Sequence, residues 1–400
     1  MLLSTAMAYP ILRLKSGSDV HLRNRHHAIF KAAISAAPKA EDGDIVEVQD
    51  ARGDFLCYAH WNSQAYICGR AIAFERGDPL AQMARNIDSA LRLRRECFTE
   101  STVTNAYRLI NAEGDGLPGL IVDNYGRVLV IQLTTLGMDR LRSWVATMLQ
   151  ERLKPAGIFE KSTGAARAKE GLEPNEGWVR GEEQEPIEII ENGMRFAIRL
   201  TGSQKTGLFL DQREMRGLVR SMARDKKVLD CCSYVGGFSV AALLGGAMSA
   251  DAVDYDASAL ATAKGHAAIN AIDPGKLSTF AQDVFAFLRE RPLKRNFDFV
   301  ILDPPAFAKR SSDLEPAKRA YTDLNRLGMD VLPKSGGLLL TCSCSYQIDT
   351  ALFQTIVFHA ARQARRTVRI LQRHRQAFDH PVNIYHPETD YLKSLLLWVE

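Results

Sequence analysis

The chain has 400 residues, too long for one ordinary domain and suited to two or three. With 46% hydrophobic and 24% charged residues it has the composition of a folded chain, which excludes a disordered one. Its net charge of +4, from 51 basic and 47 acidic residues, permits contact with nucleic acid without demanding it, and no stretch approaches the roughly 18–20 apolar residues that span a bilayer.

Residues 1–76 read as a small β-rich module of a kind that binds RNA. Met1–Pro10 has no leading basic residue and only a short apolar run, which argues against a secretory signal. Arg23-Asn24-Arg25-His26-His27-Ala28-Ile29-Phe30 sets cations beside an apolar helix start, and the alternating stretches at 44–48 and 54–58 flank the turn Asp50-Ala51-Arg52-Gly53. Residues 77–184 read as an α+β domain. Helical periodicity at 81–95 is followed by strands at 106–109, 120–122 and 128–133, a helix at 140–153 and a strand at 157–160. Residues 185–204 form a hairpin linker around Asn192-Gly193, the strongest short hairpin signal in the chain. From 205 to 400 the pattern alternates. Strands at 227–230, 250–254, 277–281, 297–302, 337–341 and 391–399 are interleaved with helices at 237–244, 258–271, 285–291, 318–332 and 351–364. Such alternation makes an α/β, doubly wound, mostly parallel sheet.

Two charge runs read first as solvated faces: six arginines between Arg362 and Arg375, and five glutamates between Glu182 and Glu191. Seven cysteines, an odd number with no CxxC and no Cys/His cluster at ligand spacing, argue for a reducing cytoplasm and against a disulfide framework or a structural zinc.

Val228-Leu229-Asp230 runs into Cys231-Cys232-Ser233-Tyr234-Val235-Gly236-Gly237-Phe238-Ser239 and then an apolar helix. Paired glycines at a strand-to-helix turn let a ligand approach the backbone. The spacing is not GxGxxG, which disfavours a nicotinamide cofactor, and no Walker lysine is present. Asp254 closes the second strand, where a ribose diol is held, and Asp283 follows the third, placed for an exocyclic adenine amine. The fourth strand ends in Asp303-Pro304-Pro305-Ala306-Phe307. Acids at the tips of parallel strands share one sheet edge, and this set suits S-adenosylmethionine.

Carbon 5 of a pyrimidine is a poor nucleophile, and one solution is addition of a thiolate to carbon 6. The strand Leu338-Leu339-Leu340-Thr341-Cys342-Ser343-Cys344-Ser345 reaches the same edge, and alternation puts Cys342 and Cys344 on one face if the strand stays regular. Cys344 reads as the nucleophile, and Cys342 and the pair Cys231-Cys232 as packing. Asp303 is placed to pair with the pyrimidine edge.

In this order, Lys205-Thr206-Gly207-Leu208-Phe209-Leu210-Asp211-Gln212-Arg213, the Ser-Tyr-Val-Gly-Gly-Phe loop, Asp303–Phe307, Thr341–Ser345 and Ala377-Phe378-Asp379-His380-Pro381-Val382 resemble the bacterial 23S ribosomal RNA large-subunit cytosine-5 methyltransferase family. Arg23–Phe30 resembles the start of that family's PUA module, and 114–123 its central α+β domain. The resemblance implies a PUA-like RNA-binding domain, a class I (Rossmann-like) methyltransferase domain, S-adenosylmethionine, a cytosine in 23S rRNA as target, and a cytoplasmic homodimer. It implies cofactor contacts at Gln212, Arg213, Asp230, Ser233, Tyr234, Gly236, Gly237, Asp254, Asp283 and Asp303. It further implies catalytic roles for Cys344 and Asp303, and RNA contacts at Arg25, His26, Lys205 and Phe307. The chain departs from the family in having Val235 for a usual threonine and Cys342 for a usual aromatic. No cysteine stands in the Asp-Pro-Pro loop, so product release does without a second thiol. Two alternatives stay open: a guanine-nitrogen rRNA methyltransferase, which needs no thiol, and a non-catalytic RNA-binding assembly factor.

Overall fold

The computed structural model describes residues 9–99, 102–182, 185–202, 206–290 and 297–400. The chain divides into two compact units, one of Met1–Ile189, Ile198–Phe209 and Phe378–Thr389, the other of Ile190–Ala197, Leu210–Ala377 and Asp390–Glu400. No helix among the described residues is long and apolar enough to cross a membrane.

The first unit opens with β1 (Ile11–Leu14), α1 (Val20–Arg23), β2 (Ala28–Phe30), β3 (Ile34–Ala36), β4 (Ile45–Gln49), β5 (Phe55–Trp61) and β6 (Ile67–Ala73), in a sheet ordered β2-β6-β5-β4-β1-β3. Leu12, Leu14, Val46, Val48, Cys57, Ala59 and Trp61 fill its core. The helix expected to begin near Ala28 is instead a strand. Arg25 takes a left-handed φ of 60°, which turns the chain out of α1, and Ala28 and Ile29 then pair with Arg70 and Gly69 of β6.

Asp78 caps α2 (Pro79–Cys97) by accepting the Leu80 N–H at 2.9 Å, with proline at the first turn where no donor is lost. Met83, Ile87, Ala90, Leu91 and Arg94 form the helix's buried stripe. A five-stranded sheet follows, ordered β11-β10-β9-β8-β7. Its strands are β7 (Ala106–Asn111), β8 (Leu120–Tyr125), β9 (Val128–Leu133), β10 (Gly157–Ser162) and β11 (Asn175–Gly181), with α3 (Leu136–Arg140) and α4 (Arg142–Leu153) between β9 and β10. The strand β11 has no apolar alternation and was not legible in the sequence. The hairpin of β12 (Ile187–Glu191) and β13 (Met194–Ile198) turns on Asn192 and Gly193, both at positive φ (50° and 73°), as a tight two-residue turn requires.

The second unit holds α5 (Arg213–Met222), β14 (Lys227–Cys231), α6 (Gly237–Leu244), β15 (Ser249–Asp254), α7 (Ala257–Ile269), β16 (Leu277–Ala281) and α8 (Val284–Arg289). It continues with β17 (Phe299–Leu302), α9 (Leu314–Asp330), β18 (Gly337–Ser343), α10 (Thr350–Ala364), β19 (Val368–His374) and β20 (Lys393–Val399). The sheet order is β16-β15-β14-β17-β18-β20-β19, with β16 through β18 parallel and β20 antiparallel to both neighbours. Consecutive residues serve opposite faces: Leu229, Val300, Leu339 and Leu397 belong to one core, and Val228, Ile301, Leu340 and Leu396 to the other. The arginine run splits at Arg365, which ends α10 at a φ of 53°. Its C-terminal half is the edge strand β19, where outward arginines blunt further pairing. Arg366 does not face solvent; its guanidinium donates to the carbonyls of Met329, Leu332 and Pro333 at 2.9, 3.1 and 2.6 Å.

Candidate active site

Parallel pairing carries the C-terminal ends of β14, β15, β16 and β17 to one sheet edge. Between β14 and α6 the chain turns so sharply that Cys232, Tyr234 and Gly236 all have positive φ (61°, 48° and 74°). The fully buried Asp230 carboxylate accepts the Ser239 N–H at 3.0 Å and its hydroxyl at 2.7 Å. Burial nonetheless raises its pKa to about 6. Asp254, also buried, accepts the N–H groups of Tyr234 at 2.8 Å and Asp256 at 3.0 Å, one on each oxygen, so each oxygen keeps a lone pair. Asp283 is exposed and caps α8 through the Ala286 N–H at 2.8 Å. Half-buried Asp303 accepts from Gln212 Nε2 at 2.9 Å. Gln212 is buried immediately before α5, and Arg213 is buried at its first position.

These acids converge. Burial, and then the charges of Asp303, Asp254, Asp230 and Asp283 in that order, drive the Cys232 thiol far above its ordinary range. Asp230 Oδ1 and Ser233 Oγ are buried and have no hydrogen-bond partner among the described residues, which is what a polar ligand would supply. Gly236 leaves room nowhere else: a Cβ there would lie 2.6 Å from the Ala263 Cβ. Gly236→Ala combines that overlap with a left-handed φ, at a cost of about 2–4 kcal/mol. The variant should melt several degrees lower in calorimetry; an unchanged melting curve would contradict this account of the turn.

At the neighbouring tip, Cys342 lies inside β18 and is fully buried. Burial first, then the Asp303 charge, hold its thiol well above the usual value. Cys344 lies just past the strand's last residue, half-buried, with Sγ 4.0 Å from the Pro304 carbonyl oxygen of the Asp-Pro-Pro loop. Cys231 is buried and its thiol likewise held high by burial. The two loops are tied together at Ser345, whose hydroxyl accepts the Ala308 N–H at 3.2 Å and lies 3.0 Å from the Tyr321 hydroxyl. Phe307 packs on Tyr321 with centroids 4.6 Å apart, so its ring is half used up in packing.

Four residues around this edge were not found in the sequence. Arg216 and Glu191 form a buried two-pronged ion pair, both contacts at 2.6 Å, and a Cβ on Gly237 would lie 3.0 Å from Arg216 Cδ. Burial alone would lower the Arg216 pKa, but Glu191 outweighs it and the net shift is upward. Tyr321 is buried, and burial raises its hydroxyl to about 12. Lys393, at the start of β20, is buried and donates to two carbonyls. A glutamate in an acidic run, a tyrosine on an amphipathic helix and a lysine opening a strand carry no local signal of such roles.

Of the residues expected to meet RNA, Arg25 and His26 belong to the first unit and Phe307 to the second. Lys205 is outside the described residues. Arg25 lines a cleft of about 660 Å³ in the first unit, together with Phe74, Gln82, Asn86, Arg92 and Tyr385. Its guanidinium has no hydrogen-bond or ion-pair partner among the described residues. His26 is half-buried and stacks on His386 at 4.2 Å. Its Nδ1 accepts the Ala28 N–H at 3.1 Å, so a neutral ring carries its hydrogen on Nε2, 3.4 Å from Glu388.

A family model described as an S-adenosylmethionine-dependent methyltransferase matches residues 128–384, and one described as a PUA-like domain matches residues 12–74. The protein named ribosomal RNA large subunit methyltransferase I of Alteromonas mediterranea is 38% identical, over 96% of this chain and 97% of its own length. Its namesake from Aliivibrio fischeri strain MJ11 is 40% identical over 95% and 97%. Among solved structures, SMU.776 complexed with SAH matches with a TM-score of 0.84 at 24% identity, covering 97% of this chain and 99% of that one. Trm5b from Pyrococcus abyssi matches with a TM-score of 0.52 at 14% identity, over 70% and 74%. These two likenesses concern the fold.

Proposed function

The chain belongs to the ribosomal RNA large subunit methyltransferase I family, whose members use S-adenosylmethionine, and from that premise we propose that it forms 5-methylcytosine in 23S ribosomal RNA through a cysteine adduct. The residues at the sheet edge suit that donor: Asp254 for the ribose, Asp283 for the adenine amine, and the Asp230–Gly237 turn, with Gln212 and Arg213, for the rest. Bound there, S-adenosylmethionine supplies an electrophilic methyl group.

The observation that carries the cytosine reading is a half-buried cysteine, Cys344, against the backbone of the Asp303-Pro304-Pro305 loop. Its thiolate adds to carbon 6, which makes carbon 5 nucleophilic; after methylation the carbon-5 proton leaves and the C–S bond breaks. Asp303, steadied by Gln212, holds the pyrimidine edge. A guanine-nitrogen methyltransferase would have no use for this thiol. Arg25, in its cleft beside Phe74 and Tyr385, supplies a cation and aromatic faces to RNA in the first unit. The same reading makes the protein a cytoplasmic homodimer.

The decisive experiment incubates enzyme, cofactor and rRNA carrying 5-fluorocytosine. Fluorine does not leave as a proton does, so the intermediate should stall as a protein–RNA adduct, present in wild type and Cys342→Ala and absent in Cys344→Ala. Methyl transfer to unmodified RNA without any adduct would sink the covalent mechanism and favour guanine nitrogen.

A further inference from the structure

Lys393 is a cation in an unusual place. It is 6% exposed, and Nζ donates to the carbonyls of Ser345 at 2.8 Å and Tyr391 at 2.7 Å. No carboxylate lies within ion-pair distance of it among the described residues. The antiparallel register of β18 and β20 sets Lys393 opposite Ser343, one residue before Cys344, and its first acceptor belongs to the residue just after Cys344. The ammonium is thus held by the backbone carbonyl that follows Cys344 and by that of Tyr391, neither of which can neutralise it. A buried lysine without a counter-ion is costly unless something else at the site carries the balancing charge.

We propose that Lys393 is the proton acceptor and counter-ion of the Cys344 thiol, holding it as a thiolate for attack. The proposal rests on the reading of Cys344 as the nucleophile. A neutral amine has two N–H donors and one lone pair. Ser345 and Tyr391 take both donors, leaving the lone pair as the only valence open to a thiol proton. In the step, the S–H bond breaks and an N–H bond forms, giving a thiolate beside an ammonium. The sulfur pair then bonds to carbon 6, and on release the C–S electrons return to a sulfur still beside the cation.

The electrostatics agree. Burial lowers the Lys393 pKa, which brings it toward that of a thiol, and Cys344 is the foremost charge acting against that shift, ahead of Asp390 and Asp349. Tyr321 and Cys342 also interact with Cys344, and burial keeps both protonated at neutral pH.

The test is the pH dependence of Cys344 alkylation by iodoacetamide, read by peptide mass spectrometry on the full chain. In wild type the rate should rise to half its maximum at least one pH unit below the ordinary thiol value of about 8.5. Lys393→Met should move that midpoint up by at least one unit and slow alkylation at pH 7 about tenfold. Lys393→Gln, which still donates to both carbonyls, should behave as Lys393→Met, and it covers the case in which the methionine variant fails to fold. A wild-type midpoint near 8.5, or variants with an unmoved profile, would overturn the proposal. Alkylation does not depend on which base is methylated. A shifted profile without a 5-fluorocytosine adduct therefore rejects cytosine chemistry and keeps the ion pair, whereas an adduct with an unshifted profile does the reverse.

Discussion

Cys344→Ala should reduce methyl transfer to rRNA by at least about 10⁴-fold, some 5.5 kcal/mol of barrier, while leaving cofactor affinity within a few-fold of wild type. The asymmetry follows from position. Cys344 stands past the end of β18 and takes no part in the strand-tip turn that Asp230 and Asp254 organise. Cys342→Ala is the matched control. That thiol is fully buried and held protonated by burial and by Asp303, so it is a poor nucleophile at neutral pH. Its loss should cost about 1 kcal/mol of packing and less than tenfold in rate. Single-turnover kinetics with saturating cofactor separate the two. Equal losses in both variants would mean that the thiols act together or that neither is the nucleophile.

Glu191→Ala should destabilise the protein by about 3–5 kcal/mol, the usual result of leaving one half of a buried ion pair without its partner. At 3% and 0% side-chain exposure, Arg216 and Glu191 share little of their charge with water. Arg216 also packs against the turn at Gly237, where the proposed function seats the cofactor, so its relaxation should weaken cofactor binding along with stability. For a unit of this size the melting temperature should fall by roughly 10 °C. The double change Glu191→Leu with Arg216→Met should recover much of that fall, because no buried charge is then left alone. A single-variant fall under about 2 °C would show that the pair is solvated or dispensable.

The strand-tip acids were legible because they are local. Each acid ends a strand, or the turn after one, and strand ends can be read from hydrophobic runs. Asp230, Asp254, Asp283 and Asp303 were therefore found in order, and helix α6 was expected at the residues where it forms. The helix start expected at Ala28 failed for a matching reason. The stretch is apolar, but its partner Gly69 is forty residues away and decides in favour of a strand. Arg94, on α2, carries no local signal of its role, yet it is 1% exposed, paired with Asp115 at 2.7 Å and bonded to the Asp379 carbonyl at 2.8 Å.

The motif Phe378-Asp379-His380-Pro381 makes the same point. Its order in the chain marks the family, but its work is done in the first unit, where Asp379 accepts the Arg108 N–H at 2.8 Å and Phe378 stacks on Phe98 at 5.2 Å. By itself the sequence determined the alternating α/β plan, the strand-tip acids, the glycine turn and two candidate thiols, because period, turn chemistry and strand ends are written within a few residues. Only the tertiary structure decided which thiol is buried, that Arg216 pairs with Glu191, and that the buried Lys393 ammonium donates to the backbone carbonyl that follows Cys344. Burial and pairing across β18 and β20 are set by residues tens of positions apart, and no local pattern encodes them.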